Sequence, residues 1–488
     1  MPPCLKPPVI VWFRDDQRLA DNPALEYAIA TGHPIVCVYI YDSKPQNVRA
    51  YGEATRWWLA KSLQALNTEL VALGGELTLL CGSESQSIKA LAIAIGAIEV
   101  CWNRRYLAAQ RETDRAIKMA LKTRSIEVST FNGYLLREPW TVATRNGRPF
   151  KIFSAYWRAA CYEYSPQAPR LKPQQINFFP VPKNIAQVAP LRTLSTITIQ
   201  CLAPNFSKRS FKIWKCGEQA GWIQLNDFLT NSLSYYASGR DFPAMQVTSQ
   251  LSPYLRFGNL SVRQVWHALR SIASSVSTAS GSIDKFLYEL GWREFSYYLL
   301  YHYGTLHQVN FKRQFDAMPW RNADTELHAW RCGRTGYPLV DAGMRELYHT
   351  GWIHNRVRMV TASFLVKHLL INWREGESWF WDRLVDADEA SNPANWQWVA
   401  GSGADAAPYF RIFNPILQSE KFDMKATYVR RWVPELSRLP NECIHAPWLA
   451  QSGQLASASV KLGQNYPWPI VLHQQARKRA LMAIEHIR

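Results

Sequence analysis

The residues best suited to chemistry lie in residues 384–400, which bring acids, amides and two tryptophans into one short stretch. Asn392 precedes Pro393, a pair that predicts a helix N-cap followed by proline at the first helical position. Asn392 and Trp396 then share one helix face, whereas Trp398 points in another direction. This pattern suits a site that holds an aromatic ligand. The structural alternative is a capping asparagine beside tryptophans that fill a core.

Two further patterns could bind parts of such a ligand or of a nucleic acid. The hydroxyls of Thr248–Ser252 stand at a predicted helix start and could cradle an anion, although such residues are commonly caps. Glu289 and Trp292 are three residues apart on a predicted helix, which suits recognition of a nucleobase edge and face. The alternative for this pair is a surface ion pair beside a core tryptophan.

Arginines in His354–Met359 add positive charge to the candidate site. Arg356 or Arg358 could neutralise Asp386 or Asp388, or could hold a phosphate. Residue spacing does not choose between these roles.

Composition narrows the class of protein. The chain has 488 residues, too many for one hydrophobic core, and a formal net charge of +18, which predicts a polyanionic partner, nucleic acid first and an anionic membrane second. Its nine cysteines lack metal-ligand spacing, so we expect free thiols, no metal site and a reducing compartment. The N-terminus does not resemble a signal peptide, and the apolar run at 90–98 is about half a membrane span. We therefore expect a cytoplasmic protein that does not enter a membrane.

Secondary-structure elements must position these candidate residues, and the first part of the chain is predicted to consist of apolar strands that alternate with helices. The predicted strands are Val9–Phe13, Ile35–Tyr41, Leu77–Leu80, Ile98–Trp102 and Ile126–Phe131. This alternation predicts a doubly wound, parallel, five-stranded sheet, which would bind ligands beyond the carboxyl ends of its strands. The Gly-rich and Walker phosphate-binding motifs are absent, so any phosphate must be held in another way.

The remaining chain predicts a connector and a helical domain. Residues 133–204 carry nine prolines, although Phe153–Tyr164 has a helical pattern. The predicted division is therefore an α/β domain at 1–132, a connector at 133–205 and an all-α domain at 206–488. The helices predicted for the all-α domain are Glu218–Ser234, Val262–Ser274, Ile283–Tyr303, Ala323–Cys332, His354–Trp373, Glu377–Leu384 and Gln474–Arg488.

Taken in order, these segments resemble the photolyase/cryptochrome flavoprotein family, and within it the cyclobutane pyrimidine dimer photolyases. The amino-acid sequence at 386–400 and 410–422 is most similar to that of the bacterial class III branch, which is close to plant cryptochromes. The motifs that carry the resemblance are Val11–Arg14, Asp21–Leu25, Arg240–Pro243, Trp292–Phe295, Thr335–Asp341, His354–Met359, Trp396–Trp398 and Asp405–Pro415.

The resemblance implies a bent FAD in the helical domain, active as FADH⁻. Phe286 stands where some relatives have tryptophan, which keeps an aromatic wall but loses an indole donor. Asn392 takes the position near flavin N5, as in photolyases, whereas plant cryptochromes have aspartate there. The flavin-binding positions implied by the resemblance are Tyr236, Thr248, Ser249, Leu251, Ser252, Phe286, Arg293, Asn355, Asp386 and Asp388.

The resemblance also implies a lesion site and an electron relay. Asn355 and Met359 do not match the histidine pair of 6-4 photolyases, which favours the cyclobutane dimer as the lesion. The implied relay runs through Trp396, Trp373 and Trp320, which with Asn392 and Glu289 are the candidate catalytic residues. The implied positions for DNA and lesion are Arg240, Glu289, Trp292, Asn355, Arg356, Met359, Trp398 and Arg411.

The activity implied by the resemblance is light-driven repair of cyclobutane pyrimidine dimers by a monomer. Light excites FADH⁻, an electron moves to the dimer, the ring opens and the electron returns. An antenna chromophore is expected in the α/β domain, with methenyltetrahydrofolate implied by the class III branch. Asn103–Gln110 lacks the Asn-Glu pair that holds folate in enterobacterial enzymes, so 8-hydroxydeazaflavin stays open. The alternative function is a cryptochrome-like blue-light photoreceptor with little or no repair.

Overall fold

The structure, a computed structural model, describes residues 6–161, 164–182, 184–188, 191, 213–273 and 280–487. Five strands open the chain and form one parallel sheet in the order β3-β2-β1-β4-β5. The order reverses direction between β1 and β4, so the predicted doubly wound sheet is confirmed. The strands are β1 Val9–Phe13, β2 Ile35–Tyr41, β3 Leu77–Cys81, β4 Glu99–Asn103 and β5 Glu127–Phe131.

Side chains that alternate along β1 pack on the two faces of the sheet, as the period of two requires. Val11 packs in one core with Leu25 and Trp58, and Trp12 packs in a second core with Leu91. Both faces are buried, which explains why the strands are almost continuously apolar. The helices on these faces are α1 Pro23–Ala30, α2 Glu53–Ala72, α3 Glu84–Ala94 and α4 Ala108–Lys122.

After residue 213, the described chain forms helices and turns, with one isolated bridge between Leu462 and Tyr466. The predicted all-α character of this part is therefore confirmed. Across the described ranges, no helix combines the length and apolar character that crossing a bilayer requires. The further α-helices are α5 Phe153–Cys161, α6 Glu218–Asp227, α7 Tyr236–Gly239, α8 Ser252–Arg256, α9 Val262–Ala273, α10 Ser280–Tyr303, α11 Asp324–Arg331, α12 Pro338–Thr350, α13 Asn355–Ser363, α14 Trp373–Arg383, α15 Ser391–Ala400, α16 Pro415–Phe422, α17 Thr427–Trp432, α18 Asn441–Ile444, α19 Ser452–Ser457 and α20 His473–Glu485.

The prediction of one helix over His354–Trp373 was wrong. Helix α13 continues as a π-helical turn, Phe364–His368, and the chain then reverses through Leu370, whose φ is 55°. Helix α14 begins at Trp373, where the Asn372 side chain accepts a hydrogen bond from the backbone N–H two residues further on, at 3.0 Å. An apolar run continues through the break, so the hydrophobic pattern alone did not reveal it.

The connector binds to the domains it joins. The N–H of Ile35 in β2 donates to the carbonyl of Asn177, at 2.7 Å, and the N–H of Phe179 donates back to the carbonyl of Ile35, at 2.9 Å. Helix α5 packs on α10. The predicted boundary near residue 205 lies outside the described residues.

The two domains share one hydrophobic core. Trp58 of α2 is fully buried, and its ring packs edge-on against Tyr254 of α8, with centroids 5.0 Å apart, and against Trp214, at 5.5 Å. The domains also meet where Gly52 lies against Trp381 of α14. A Cβ on Gly52 would lie 2.1 Å from the carbonyl oxygen of Trp381. Glycine is therefore required where α2 begins, since any side chain would push the domains apart.

A buried carboxylate also joins the domains. Glu218, the first residue of α6, accepts hydrogen bonds from the backbone N–H groups of Leu19, at 2.6 Å, and Ala20, at 3.1 Å. Burial raises the pKa of Glu218 to about 7 despite these bonds. The carboxylate satisfies two N–H groups that would otherwise be buried without partners.

Lys367 lies in the π-helical turn, under the loop that carries Arg411. Its side chain is buried, and its Nζ donates to the carbonyl of Arg411, at 2.9 Å. The ammonium also lies 5.3 Å from the centroid of the Tyr409 ring. Burial, with a smaller contribution from the charge of Arg411, lowers the pKa of Lys367 to about 7.

Replacing Lys367 with methionine should change how stability depends on pH. Because the pKa falls from 10.5 to about 7 on folding, the unfolded chain binds more protons between those values, and Lys367 makes stability rise with pH across that window. Between pH 7 and pH 9, the wild-type free energy of unfolding should rise relative to Lys367→Met by on the order of 2 kcal/mol. Thermal unfolding midpoints over this range test this, and Lys461→Met, at an exposed position, is the control. Parallel profiles for all three proteins would contradict it.

Candidate functional site

One cavity of about 580 Å³ lies within the helical part, a volume suited to a large organic ligand. Its walls come from the Thr248–Ser252 turn, from α10 and α13, and from the chain between Leu384 and Val399. Segments far apart in the sequence therefore meet around a single space. The predicted site residues that line it are Tyr236, Arg240, Thr248, Ser249, Leu251, Ser252, Phe286, Glu289, Trp292, Arg293, Asn355, Arg356, Met359, Asp386, Asp388, Asn392, Trp396 and Trp398.

Asp386 is held by two partners in the cavity wall. Its carboxylate accepts a hydrogen bond from the hydroxyl of Ser252, at 2.6 Å, and forms an ion pair with Arg358, at 2.8 Å. Of the two arginines considered from the sequence, Arg358 therefore neutralises this acid. Arg356 instead pairs with Asp241, at 2.9 Å.

The prediction that Asn392 is the N-cap of helix α15 was wrong, because Ala390 holds that position and Asp388 supplies an acceptor from two residues before it. The Asp388 carboxylate accepts hydrogen bonds from the backbone N–H of Ala390, at 2.9 Å, and of Ser391. Helix α15 therefore begins at Ser391, and Asn392 lies in its first turn.

Arg256 was not predicted, yet it is the central cation beneath the cavity. It is fully buried, pairs with Asp15 of the α/β domain at 2.7 Å and with Glu389 at 3.7 Å, and donates to the carbonyl of Ala387, at 2.9 Å. Burial raises the pKa of Asp388, and Arg256 is the largest influence that opposes this rise. Local sequence carries no signal for this role, because the partners of Arg256 lie more than a hundred residues away.

Asn392 presents a defined atom to the cavity. Its Nδ2 donates to the Glu377 side chain, at 2.7 Å, and to the Glu377 carbonyl, at 3.1 Å. Glu377 is buried and also accepts from Arg49 of the α/β domain, at 2.8 Å. With Nδ2 occupied, the Oδ1 atom of Asn392 is free to accept a hydrogen bond from a ligand.

Helix α10 carries two of the residues assigned to the lesion, Glu289 and Trp292. Glu289 forms an ion pair with Arg240. The ion pair considered for this acid from the sequence is therefore present as well. Trp292 is half-buried and stacks on Phe153 of α5, with centroids 3.9 Å apart. The acid and the indole therefore line the same cavity.

Three predicted residues lie outside this cavity. Trp373 is fully buried and donates from its indole N–H to Asn310, at 2.9 Å, whereas Trp320 is partly exposed. Arg411 is exposed and lines a neighbouring pocket of about 380 Å³ that also contains Arg356 and Phe422. This second pocket is open, basic and aromatic, and it shares Arg356 with the main cavity.

The crevice at the switch point of the sheet is much smaller. It lies past the ends of β1 and β4 and has about 30 Å³ of free volume, which is room for about one water molecule. Arg14 and Arg105 line it, and both pair with Asp114, at 2.8 and 2.6 Å. A chromophore ring could enter only if these side chains moved. In the ranges that the structure describes, no cluster of histidine, cysteine and acidic residues could hold a metal.

Comparisons with known proteins agree with this arrangement. Residues 9–174 match the model of the DNA photolyase family, and residues 286–486 match the FAD binding domain of DNA photolyase. The chain is 46% identical over 476 residues to the deoxyribodipyrimidine photo-lyase of Agrobacterium fabrum, covering 98% of this chain and 97% of that protein. It is 38% identical over 485 residues to cryptochrome-1 of Arabidopsis thaliana, covering 98% and 70%. The crystal structure of a bacterial class III photolyase from Agrobacterium tumefaciens superposes with a TM-score of 0.91, at 45% identity and 99% and 98% coverage.

Substitution of Asp388 should separate the contribution of its hydrogen bonds to stability from the contribution of its charge. Asp388→Ala leaves two N–H groups at the start of α15 without their acceptor and removes a counter-charge to Arg256, and we expect it to lower stability by about 2 kcal/mol. Asp388→Asn keeps an acceptor and should lose less than the alanine variant. Thermal unfolding of the two variants beside wild type measures this. Equal losses would show that the charge alone matters.

Proposed function

We propose, since this chain belongs to the photolyase/cryptochrome family, that it repairs cyclobutane pyrimidine dimers in DNA when illuminated. One observation carries the proposal: the residues assigned to the flavin, such as Asn392 and Asp386, and those assigned to the lesion, such as Glu289 and Trp292, line the same cavity. Electron transfer to a lesion requires the two partners almost in contact, and a shared cavity allows that contact.

The cavity residues fit FAD. The hydroxyls of the Thr248–Ser252 turn suit an anionic diphosphate, and the Asp386 and Asp388 carboxylates suit N–H donors of a flavin ring. When bound in its reduced form, FAD supplies an electron on absorbing blue light and takes it back after repair. Asn392 would accept a hydrogen bond at Oδ1, which favours a ligand carrying an N–H donor at that point.

The protein's own residues would bind the damaged bases after they leave the duplex. Glu289 offers acceptors to the edges of the bases, and Trp292 offers an aromatic face. Arg240 compensates the charge of Glu289, which lowers the cost of holding a carboxylate in a half-buried wall. Arg356 and Arg411 line the adjoining basic pocket and would contact backbone phosphates beside the lesion.

Tryptophans would carry electrons from the surface to the cavity. Trp396 is buried in the cavity wall, Trp373 is fully buried and Trp320 is partly exposed, so Trp320 is the member of the three that solvent reaches. A Cβ on Gly376 would lie 2.1 Å from the Trp396 ring, so α14 and α15 meet through this indole. The relay would reduce oxidised FAD in light and need take no part in repair.

We further propose that the protein acts as a monomer and carries an antenna chromophore, methenyltetrahydrofolate or a deazaflavin, in its α/β domain. The crevice at the switch point is narrow, so binding there would require Arg14 and Arg105 to change partners. The second candidate function is a blue-light photoreceptor, which the similarity to cryptochrome-1 of Arabidopsis thaliana favours.

A repair assay tests the proposal against this alternative. Purified, reduced protein is mixed with DNA containing a thymine dimer and illuminated with blue light, with a dark control and DNA containing a 6-4 lesion in parallel. We expect loss of the cyclobutane dimer alone, and only in light. Bound, photoreducible flavin without any repair would establish the photoreceptor instead.

Trp396→Phe should separate photoreduction from repair. Phenylalanine is harder to oxidise than tryptophan, so the rate of photoreduction of oxidised FAD should fall at least about tenfold. This is the order of magnitude expected when one electron-transfer step of the relay is blocked. Repair should persist when the flavin is reduced chemically beforehand. Absorbance spectra under light measure the first and dimer loss measures the second, with Trp468→Phe, at an exposed tryptophan, as the control. Loss of both activities would assign Trp396 a structural role.

A further inference from the structure

The connector helix α5 reaches the back of the lesion side of the cavity. Phe153, its first residue, is buried and lies parallel to the Trp292 indole, with centroids 3.9 Å apart and planes inclined by 16°. The phenyl ring also lies nearly parallel to the Trp157 indole, with centroids 6.3 Å apart and planes again inclined by 16°. Trp292 is thus the last ring of a stack that begins in the connector and ends at the cavity.

Trp292 needs support of this kind. Its indole is half-buried and borders open space in the cavity, so packing on that side cannot hold the ring in one orientation. Behind it, Phe295 meets the indole edge-on, at 6.0 Å, and leaves the ring face to Phe153. The stacked phenyl ring is therefore the contact that determines the plane of the indole.

Two further contacts hold α5 in this place. The carboxylate of Asp405, in the loop after α15, accepts a hydrogen bond from the N–H of Phe153, at 3.0 Å. A Cβ on Gly291 would lie 2.7 Å from the Trp157 ring, so α10 approaches α5 as closely as a glycine permits. The close approach brings the stack against the helix that carries Trp292.

We propose that Phe153 is a positioning residue for lesion recognition: the connector sets the orientation in which Trp292 receives a damaged base. The inference rests on the proposed function, since Trp292 must contact the lesion. It gives the connector a part in selecting the substrate beyond joining two domains.

Phe153→Leu tests this, because leucine keeps an apolar side chain of similar size and removes the aromatic face. The dissociation constant for dimer-containing DNA should rise roughly three- to tenfold, the range expected for loss of one aromatic pair. Affinity for undamaged DNA, FAD content and the repair yield of complexes already formed should stay at wild-type values. Phe153→Tyr, which keeps the ring, should restore lesion affinity.

A matched control and a double variant separate positioning from general damage. Phe150→Leu alters a partly buried phenyl ring of the same connector, which packs edge-on against Tyr156 at 6.5 Å, and should leave lesion affinity unchanged. In a Trp292→Ala background, Phe153→Leu should cause no further loss. Additive losses, equal losses for both kinds of DNA, or unchanged lesion affinity in Phe153→Leu would each overturn the proposal.

A crystal structure of Phe153→Leu distinguishes failure of this inference from failure of the proposed function. A changed orientation of the Trp292 ring is expected, and an unchanged ring would overturn the positioning role whatever the protein does to DNA. If the wild-type protein does not prefer dimer-containing DNA, the proposed function fails, and the orientation of Trp292 in this crystal still decides whether Phe153 positions it.

Discussion

Three carboxylates in four residues, Asp386, Asp388 and Glu389, lie largely shielded from solvent beside the cavity, and the surrounding structure must supply the positive charge that balances them. Buried carboxylates without partners are very costly, and removing one partner of a buried pair leaves the other uncompensated. Arg358 and Arg256 meet this need from two distant segments. The acidic loop is therefore stabilised by segments that lie far from it in the sequence.

The same requirement joins the domains. Arg256 also pairs with Asp15 of the α/β domain, and Arg49 of that domain pairs with Glu377, which fixes the amide of Asn392. The α/β domain thus reaches the wall of the cavity through ion pairs as well as through the shared hydrophobic core. A substitution at the interface between the domains would therefore change the environment of a ligand bound in the helical part.

Aromatic residues serve different purposes in different parts of the chain. Trp58 fills the core between the domains, Trp396 spans two helices at the cavity, and Trp292 forms a wall supported by Phe153. These indoles cannot be told apart by composition or by hydrophobicity. Only their neighbours distinguish a core residue from one that faces a ligand.

Local sequence was enough to predict five strands, a parallel sheet with alternating helices, and the helical character of the later chain, because hydrophobic periodicity and turn residues act over a few positions. It also carried the motifs whose residues line the cavity. Tertiary structure alone decided that Arg256 neutralises the acidic loop and that Phe153 supports Trp292. Both depend on groups brought together from distant positions, where burial, charge compensation and close packing choose between partners that local sequence leaves equivalent.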